Sequence, residues 1–365
     1  MRTAPELPAI DADEIRRVIE DYYARGWTDG LPVMPVTESI LAEFLAQTRR
    51  DPDEVLLDMP HLNRACTVRL AAINAAMAGC LPEYFPVVLA AWSALQAEGY
   101  VPRAIWQSTT GTASILVVNG PIRERIGLYS RSNVFGSGFR ANATIGRAIR
   151  LTAINAFGLR PGELDQGTQG NPSKYSACIA ENEEGSPWPP FHVEHGFDPQ
   201  ASTVTAMTMR SVAHIEARHT QVPEQLALDI ADTIARPGAL IHETISACIV
   251  LGPEHAALLH REGWSKDDLR RFVYEHTVID RSTLVAMGKD AVSGKTRWRL
   301  SSAHSEAVPD SAGDADPVKV LGSEQAVQII VAGAHNAGVS AVIETFGPRG
   351  EPPAIAPLAL DPTRP

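Results

Sequence analysis

A chain of 365 residues with 44% hydrophobic and 21% charged residues is long enough for one large domain or two modest ones, so core size sets no limit. Its net charge of −11 comes without clusters of Lys and Arg, which excludes general nucleic-acid binding, since that affinity is drawn from neutralised phosphates. A local cationic pocket for a small anion is compatible with the same charge, and no apolar run nears the roughly 18 residues of a membrane span.

The first residues lack the positive-then-apolar pattern of a secretory signal. Cys66, Cys80, Cys178 and Cys248 form no C-x-x-C pair, so the expectation is a cytoplasmic protein with reduced thiols. Residues 13–26 read as an amphipathic helix with Ile15, Val18, Ile19, Tyr22 and Tyr23 on one face, stopped by Gly26. The segment WTDGLPVMPVT holds Pro32 and Pro35, which fix φ and remove donors, so it turns or extends. Thr37 then caps a helix reaching about Arg49. Residues 67–79 and 82–97 read as two adjoining helices, with Pro82 in a first turn and Gly99 as a stop.

Beyond residue 110 the character changes. SILVVNG (114–120), SACIVLG (246–252) and VQIIVAG (327–333) are β-branched apolar runs, each ending in glycine. Such runs suit strands buried on both faces. Gly-Pro turns follow two of them, and the second leads into a helix from Pro253 and then a helix capped by Ser265 and Asp268. The three strand-glycine units suggest repetition. Residues 282–315 read as a long polar surface loop. The expected class is α/β: a mainly helical region (1–110) packed on a mixed or parallel sheet covered by helices (111–347), with an extended tail over the surface (348–365).

Two stretches carry candidate chemistry. In residues 133–158, Gly136 and Gly138 precede Arg140 and a helix that we read as capped by Asn142 and ended by Gly158. A glycine loop, a cation and a positive helix end converge on one point, which suits phosphate or carboxylate; Gly136, Gly138, Arg140, Asn142 and Thr144 are the candidate substrate-binding residues. The segment does not match the P-loop, and Ala141 stands where the Rossmann fingerprint places its third glycine. Residues 166–198 concentrate Lys174, Tyr175, Cys178, Glu181, Glu183, Glu184, His192 and His195 among glycines and prolines. Lys174, Tyr175, Cys178, Glu181 and Glu183 are candidates for proton transfer or catalysis, and His192, Glu181 and Glu184 for a divalent metal such as zinc, iron or manganese. Pro190 and Gly196 argue against a helix at 192–195, and H-E-x-x-H is absent. Among the scattered histidines, His255 and His335 stand out because each follows a strand-end glycine turn, where ligands gather in α/β sheets.

DGLPVMPVT (29–37), INAAMAGCLPEYFPVVLAA (73–91), VFGSGFRANATIGRA (134–148), KYSACIAENEEGSPW (174–188), GPEHA (252–256) and GWSK (263–266) together resemble a family of poorly characterised bacterial proteins, related to those named for a UGSC (seleno)cysteine motif. No Cys-Gly-Ser-Cys occurs here; the nearest string is Phe135-Gly136-Ser137-Gly138. The resemblance implies a bacterial soluble protein, for which a homodimer is the default expectation, and supplies no reaction.

The leading expectation is an enzyme acting on a small anionic, carboxylate-bearing molecule, a lyase or hydrolase using acid–base or metal-assisted chemistry. Thiol-dependent redox chemistry at Cys178 or Cys80 is a second expectation, and a non-catalytic small-molecule-binding subunit a third.

Overall fold

The computed structural model describes residues 12–98, 100–235, 246–287, 317–348 and 350–359. The N-terminal part contains α1 (Ala12–Ala24), α2 (Glu38–Leu45), a hairpin of β1 (Val55–Met59) and β2 (Arg64–Thr67), then α3 (Val68–Ala78), α4 (Phe85–Glu98) and α5 (Tyr100–Arg103). Thr37 caps α2 by accepting the Ile40 N–H, and Thr67 caps α3 through Leu70, each satisfying an amide with no partner inside its helix. The hairpin adds strand to a region expected to be mainly helical. Gly99, the expected stop after α4, lies outside the described residues.

The remainder is β3 (Ala113–Asn119), α6 (Ile122–Arg125), α7 (Arg140–Phe157), β4 (Cys178–Ala180), α8 (Phe191–Glu194), β5 (Thr203–Glu216) and α9 (Pro223–Ala235). Then follow β6 (Ser246–Leu251), α10 (Pro253–Arg261), α11 (Lys266–His276), β7 (Val278–Asp280), α12 (Arg281–Ala286), β8 (Pro317–Lys319), β9 (Val327–Val331), β10 (Val339–Thr345) and β11 (Ile355–Pro357). The loop expected at 282–315 begins inside α12, and residues 288–316 lie outside the described residues.

The α/β expectation holds: a curled mixed sheet runs β4-β3-β5-β10-β6-β9, with β11 beside β5. β3 pairs parallel with β4 and β6 parallel with β9, while β5 and β10 are antiparallel to their neighbours. Two halves thus repeat one arrangement, a parallel β–α–β pair followed by an antiparallel strand, and meet where β5 pairs with β10. The sheet's far edges also touch, because the Asn182 N–H donates to the Val331 carbonyl at 2.7 Å.

All three apolar runs are strands with both faces buried. On one face Leu116, Val118, Cys178 and Ala180 join a core with α3, α4 and α7, while Ile249, Leu251, Ile329 and Val331 join another with α9, α10 and α11. On the opposite face Ile115, Val117, Val250, Ile330 and Ile343 share one cluster with Phe191. The first core also takes in residues from Val33 to Trp106 and Ala356. The tail expected over the surface therefore enters the sheet through β11, because Ala356 can be buried there. No helix among the described residues is long and apolar enough to cross a membrane.

Candidate functional site

The helix α7 organises the candidate site. Its polar side presents Arg147 and Arg150, one turn apart, toward the N-terminal segment and the loop after the helix. Arg147 forms two 2.8 Å bonds to Asp29, whose side chain is 4% exposed, and donates to the Leu31 and Pro32 carbonyls. The DGLPV stretch is thereby fastened to the helix. Arg150 reaches Asp165 at 2.9 Å, and Lys174 holds both oxygens of the same carboxylate at 2.6 and 2.7 Å. Asp165 is buried; desolvation raises its pKa, but Lys174 and Arg150 outweigh it and hold the carboxyl below its usual range.

Asp29, Arg150, Asp165 and Lys174 help wall a cavity of about 630 Å3, with Gly26, Thr28, Gly30, Ile154, Arg160 and Tyr175 also in its lining. The lining brings three cations, Arg150, Arg160 and Lys174, against Asp165 and Asp29, and Asp29 is engaged by Arg147. Arg160 lies 3.9 Å from Glu163, and its buried Nε has no acceptor among the described residues. Gly111 sits at φ +69°, and a Cβ there would come within 2.8 Å of the Gly170 backbone. Glycine at 111 therefore lets the 165–174 loop close down beside Lys174.

The glycine loop before α7 is arranged differently from the expectation. The helix begins at Arg140 with Phe139 at the N-cap position and no side-chain cap. Asn142 is buried inside the first turn, bonded to the Tyr129 N–H and to the Tyr129 and Cys178 carbonyls, and so ties α7 to its neighbours instead of capping it. Arg140 donates to the Gly79 carbonyl at the end of α3, and Thr144 donates to the Arg140 carbonyl. Asn133 folds over Gly136 and donates to the Ser137 carbonyl. None of Gly136, Gly138, Arg140, Asn142 and Thr144 lines the 630 Å3 cavity; of the expected residues, Lys174 and Tyr175 do.

Glu181 and Glu183 lie just past β4, in a buried network. The Glu181 carboxylate accepts the Phe191 N–H at 2.7 Å, the Asn119 amide and the Val331 N–H at 3.4 Å, with Lys266 Nζ 3.9 Å away. Burial raises its pKa, and Lys266 opposes that rise. Glu183 and Glu184 each meet Arg123 at 2.8 Å. Lys266 and Arg270 of α11 hold Glu194 at 3.0 and 2.6 Å; burial of Glu194 raises its pKa, and the two cations outweigh it. The network joins the first half (Asn119, Arg123, Glu181) to the second (Val331, Lys266, Arg270), and its geometry is that of a clasp across the meeting edges.

Residues 191–194 form one helical turn, correcting the expectation that a helix is excluded there. Pro190 precedes the turn at a position where a missing N–H costs nothing. His192 is fully buried, and both its ring nitrogens are without a partner among the described residues. Burial lowers its pKa, opposed by Glu183. Among the described residues no three His, Cys, Asp or Glu side chains group as metal ligands; Glu184 is turned to Arg123, so His192, Glu181 and Glu184 do not converge. The four thiols are buried. Desolvation pushes Cys66, Cys80 and Cys248 up to about 12 and Cys178 higher still, opposite to the thiolate that redox catalysis uses.

No protein-family model, curated protein or solved structure matches the chain.

Asp165, Arg150 and Arg160 are the cavity residues that the sequence reading missed. The spacing of Arg147 and Arg150 on the polar side of a helix whose apolar face is plain was the available signal.

Proposed function

We propose that the protein is a cytoplasmic enzyme, a lyase or hydrolase, acting on a small carboxylate-bearing molecule bound in the 630 Å3 cavity. Lys174, Arg150 and Arg160 hold the anion, and Lys174 and Tyr175 are the groups placed for proton transfer. The excess of cations in one cavity of a chain with net charge −11 carries this reading. The buried Nε of Arg160, with no acceptor among the described residues, supports it, because an anion's oxygen would satisfy a donor that is otherwise costly to bury.

Thermal-shift and calorimetric titration with small mono- and dicarboxylates, beside their uncharged amides, tests it. A carboxylate that binds and stabilises, with affinity falling as salt is added, is the expected result. Arg160→Gln and Lys174→Met each remove charged hydrogen bonds, of about 1.5–3 kcal/mol apiece, and weaken binding roughly 10- to 150-fold. Amides that bind as well as the acids, or two folded variants with full affinity, would overturn the assignment. Binding without turnover of any carboxylate would place the chain with non-catalytic binding subunits.

A further inference from the structure

The long strand β5 has a neighbour on both edges over its first half only. β3 lies along residues 203–209, with Ala113 opposite Met209 as the last pair, and β10 takes the other edge over residues 209–216. The chain before β3 leaves the sheet at that point. Gly111 turns against Gly170, and the Asn171 side-chain amide donates to the Arg210 carbonyl at 2.7 Å. From residue 211 to 216 the edge facing away from β10 therefore has no strand beside it among the described residues.

The ladder with β10 decides which groups face that edge. Ala217, opposite Gly338 in the same register, donates its N–H to the Gly338 carbonyl at 3.0 Å. Bonded and non-bonded pairs alternate in an antiparallel ladder. Ile215, Ala213 and Ser211 thus turn their backbone groups to β10, while the N–H and C=O of Val212, His214 and Glu216 turn outward. Among the described residues those outward groups have no partner. The side chains of Ser211, Val212, Ala213 and His214 are all exposed. Free edges are ordinarily blunted by lysine, proline or a bulge. Residues 211–215 hold no lysine or proline, and the bulge lies before them, at Arg210.

We propose that this edge pairs with the same edge of a second copy of the chain, antiparallel about a two-fold axis at Ala213, so that two sheets become one. Val212 then lies opposite His214 of the second copy, and Arg210 opposite its Glu216. An axis at His214 would set Arg210 against Arg218, and an axis at Val212 would set Glu216 against Thr208, where β3 already holds the edge. Charge and free edge together select Ala213. Arg210 already meets Glu344 at 2.7 Å and Glu216 meets Arg218 at 3.2 Å, so the cross-strand charges fix the register more than the strength of pairing. The paired stretch ends beside Asn171, which lines the 630 Å3 cavity, but the proposal does not depend on what that cavity binds.

Sedimentation equilibrium and cysteine cross-linking of the full chain test it. The wild type is expected to be a dimer. Ala213→Lys, which sets two like charges face to face at an exposed position, is expected to weaken it by about 10-fold or more without unfolding the chain. Across the axis the two Ala213 residues form a non-hydrogen-bonded pair with Cα atoms about 4.5 Å apart, within disulfide reach. Two copies of residue 214 are diagonal neighbours at about 7–8 Å, beyond it. Mild oxidation is therefore expected to link Ala213→Cys into a covalent dimer and to leave His214→Cys and the wild type, whose own thiols are buried, unlinked. A wild type that is monomeric up to its solubility limit overturns the proposal. So does a dimer that Ala213→Lys leaves intact, or one that is linked through His214→Cys and not through Ala213→Cys.

Discussion

Replacing Asp29 by Asn tests how the cavity wall is held. Asp29 accepts from Arg147 Nε and Nη2 at 2.8 Å each, and the pair is largely shielded from water. Asparagine keeps the volume but removes the charge and turns one of the two contacts into donor against donor. Breaking a buried ion pair costs about 3–5 kcal/mol, chiefly because the surviving charge is left without its counterion. Arg147 retains the Pro32 carbonyl at 2.9 Å and the Leu31 carbonyl at 3.3 Å, and these place the cost near the lower end, at about 3 kcal/mol. Urea denaturation of the wild type, Asp29→Asn, Arg147→Met and the double variant measures it. The double variant is expected to be less destabilised than the sum of the singles by about 1–3 kcal/mol, because removing both charges leaves none orphaned. Because Gly26, Thr28, Asp29 and Gly30 line the 630 Å3 cavity, carboxylate binding falls in the same variants. A loss below about 1 kcal/mol, or strict additivity, refutes the claim that this buried pair fastens the segment.

Glu181 makes a pH-dependent contribution whose sign is fixed by its burial. Its folded pKa is raised above the ordinary 4.5, so its share of stability is fully present below that value and is lost as pH rises through the folded one. Stability measured from pH 4.5 upward is expected to decline relative to Glu181→Gln, and a difference between the two proteins that is flat with pH contradicts a desolvated carboxyl there. The thiols give a third outcome: with all four buried and their pKa values pushed upward, alkylation near neutral pH is expected to be slow in the native protein and fast in urea. Rapid native modification of Cys178 or Cys80 would reinstate thiol chemistry.

What the sequence made legible was what depends on neighbours in the chain. Thr37 and the Ser265–Asp268 capping box act within one helical turn, and the three strand runs declare themselves by apolar residues on both faces. β5 did not declare itself: its first half is buried with threonines among its apolar residues, and much of its second half is exposed, so neither alternation nor a continuous apolar run marks it. The one-turn helix at Phe191–Glu194 is too short for any period to register. Arg140 shows the limit most plainly. A cation at a helix start beside two glycines suggests an anion, yet the end of α3 supplies a carbonyl that no sequence spacing reveals. Lys174 and Tyr175 were singled out from their local mixture of residues, while Asp165 and Arg150 line the same cavity only because the loop folds back against α7.

The repeated halves place different groups at two similar turns. Past β3 and β4 the first half supplies Arg123, which meets Glu183 and Glu184, and it supplies Glu194 and Glu181, which Lys266 of the second half meets, Glu181 at longer range. That arrangement pulls the far edges of the sheet together, and rearranging any one member would leave a buried charge behind. At the turn just after β6 the chain instead buries the imidazole of His255 and the hydroxyl of Ser340, which satisfy each other and Ala217 without a counterion.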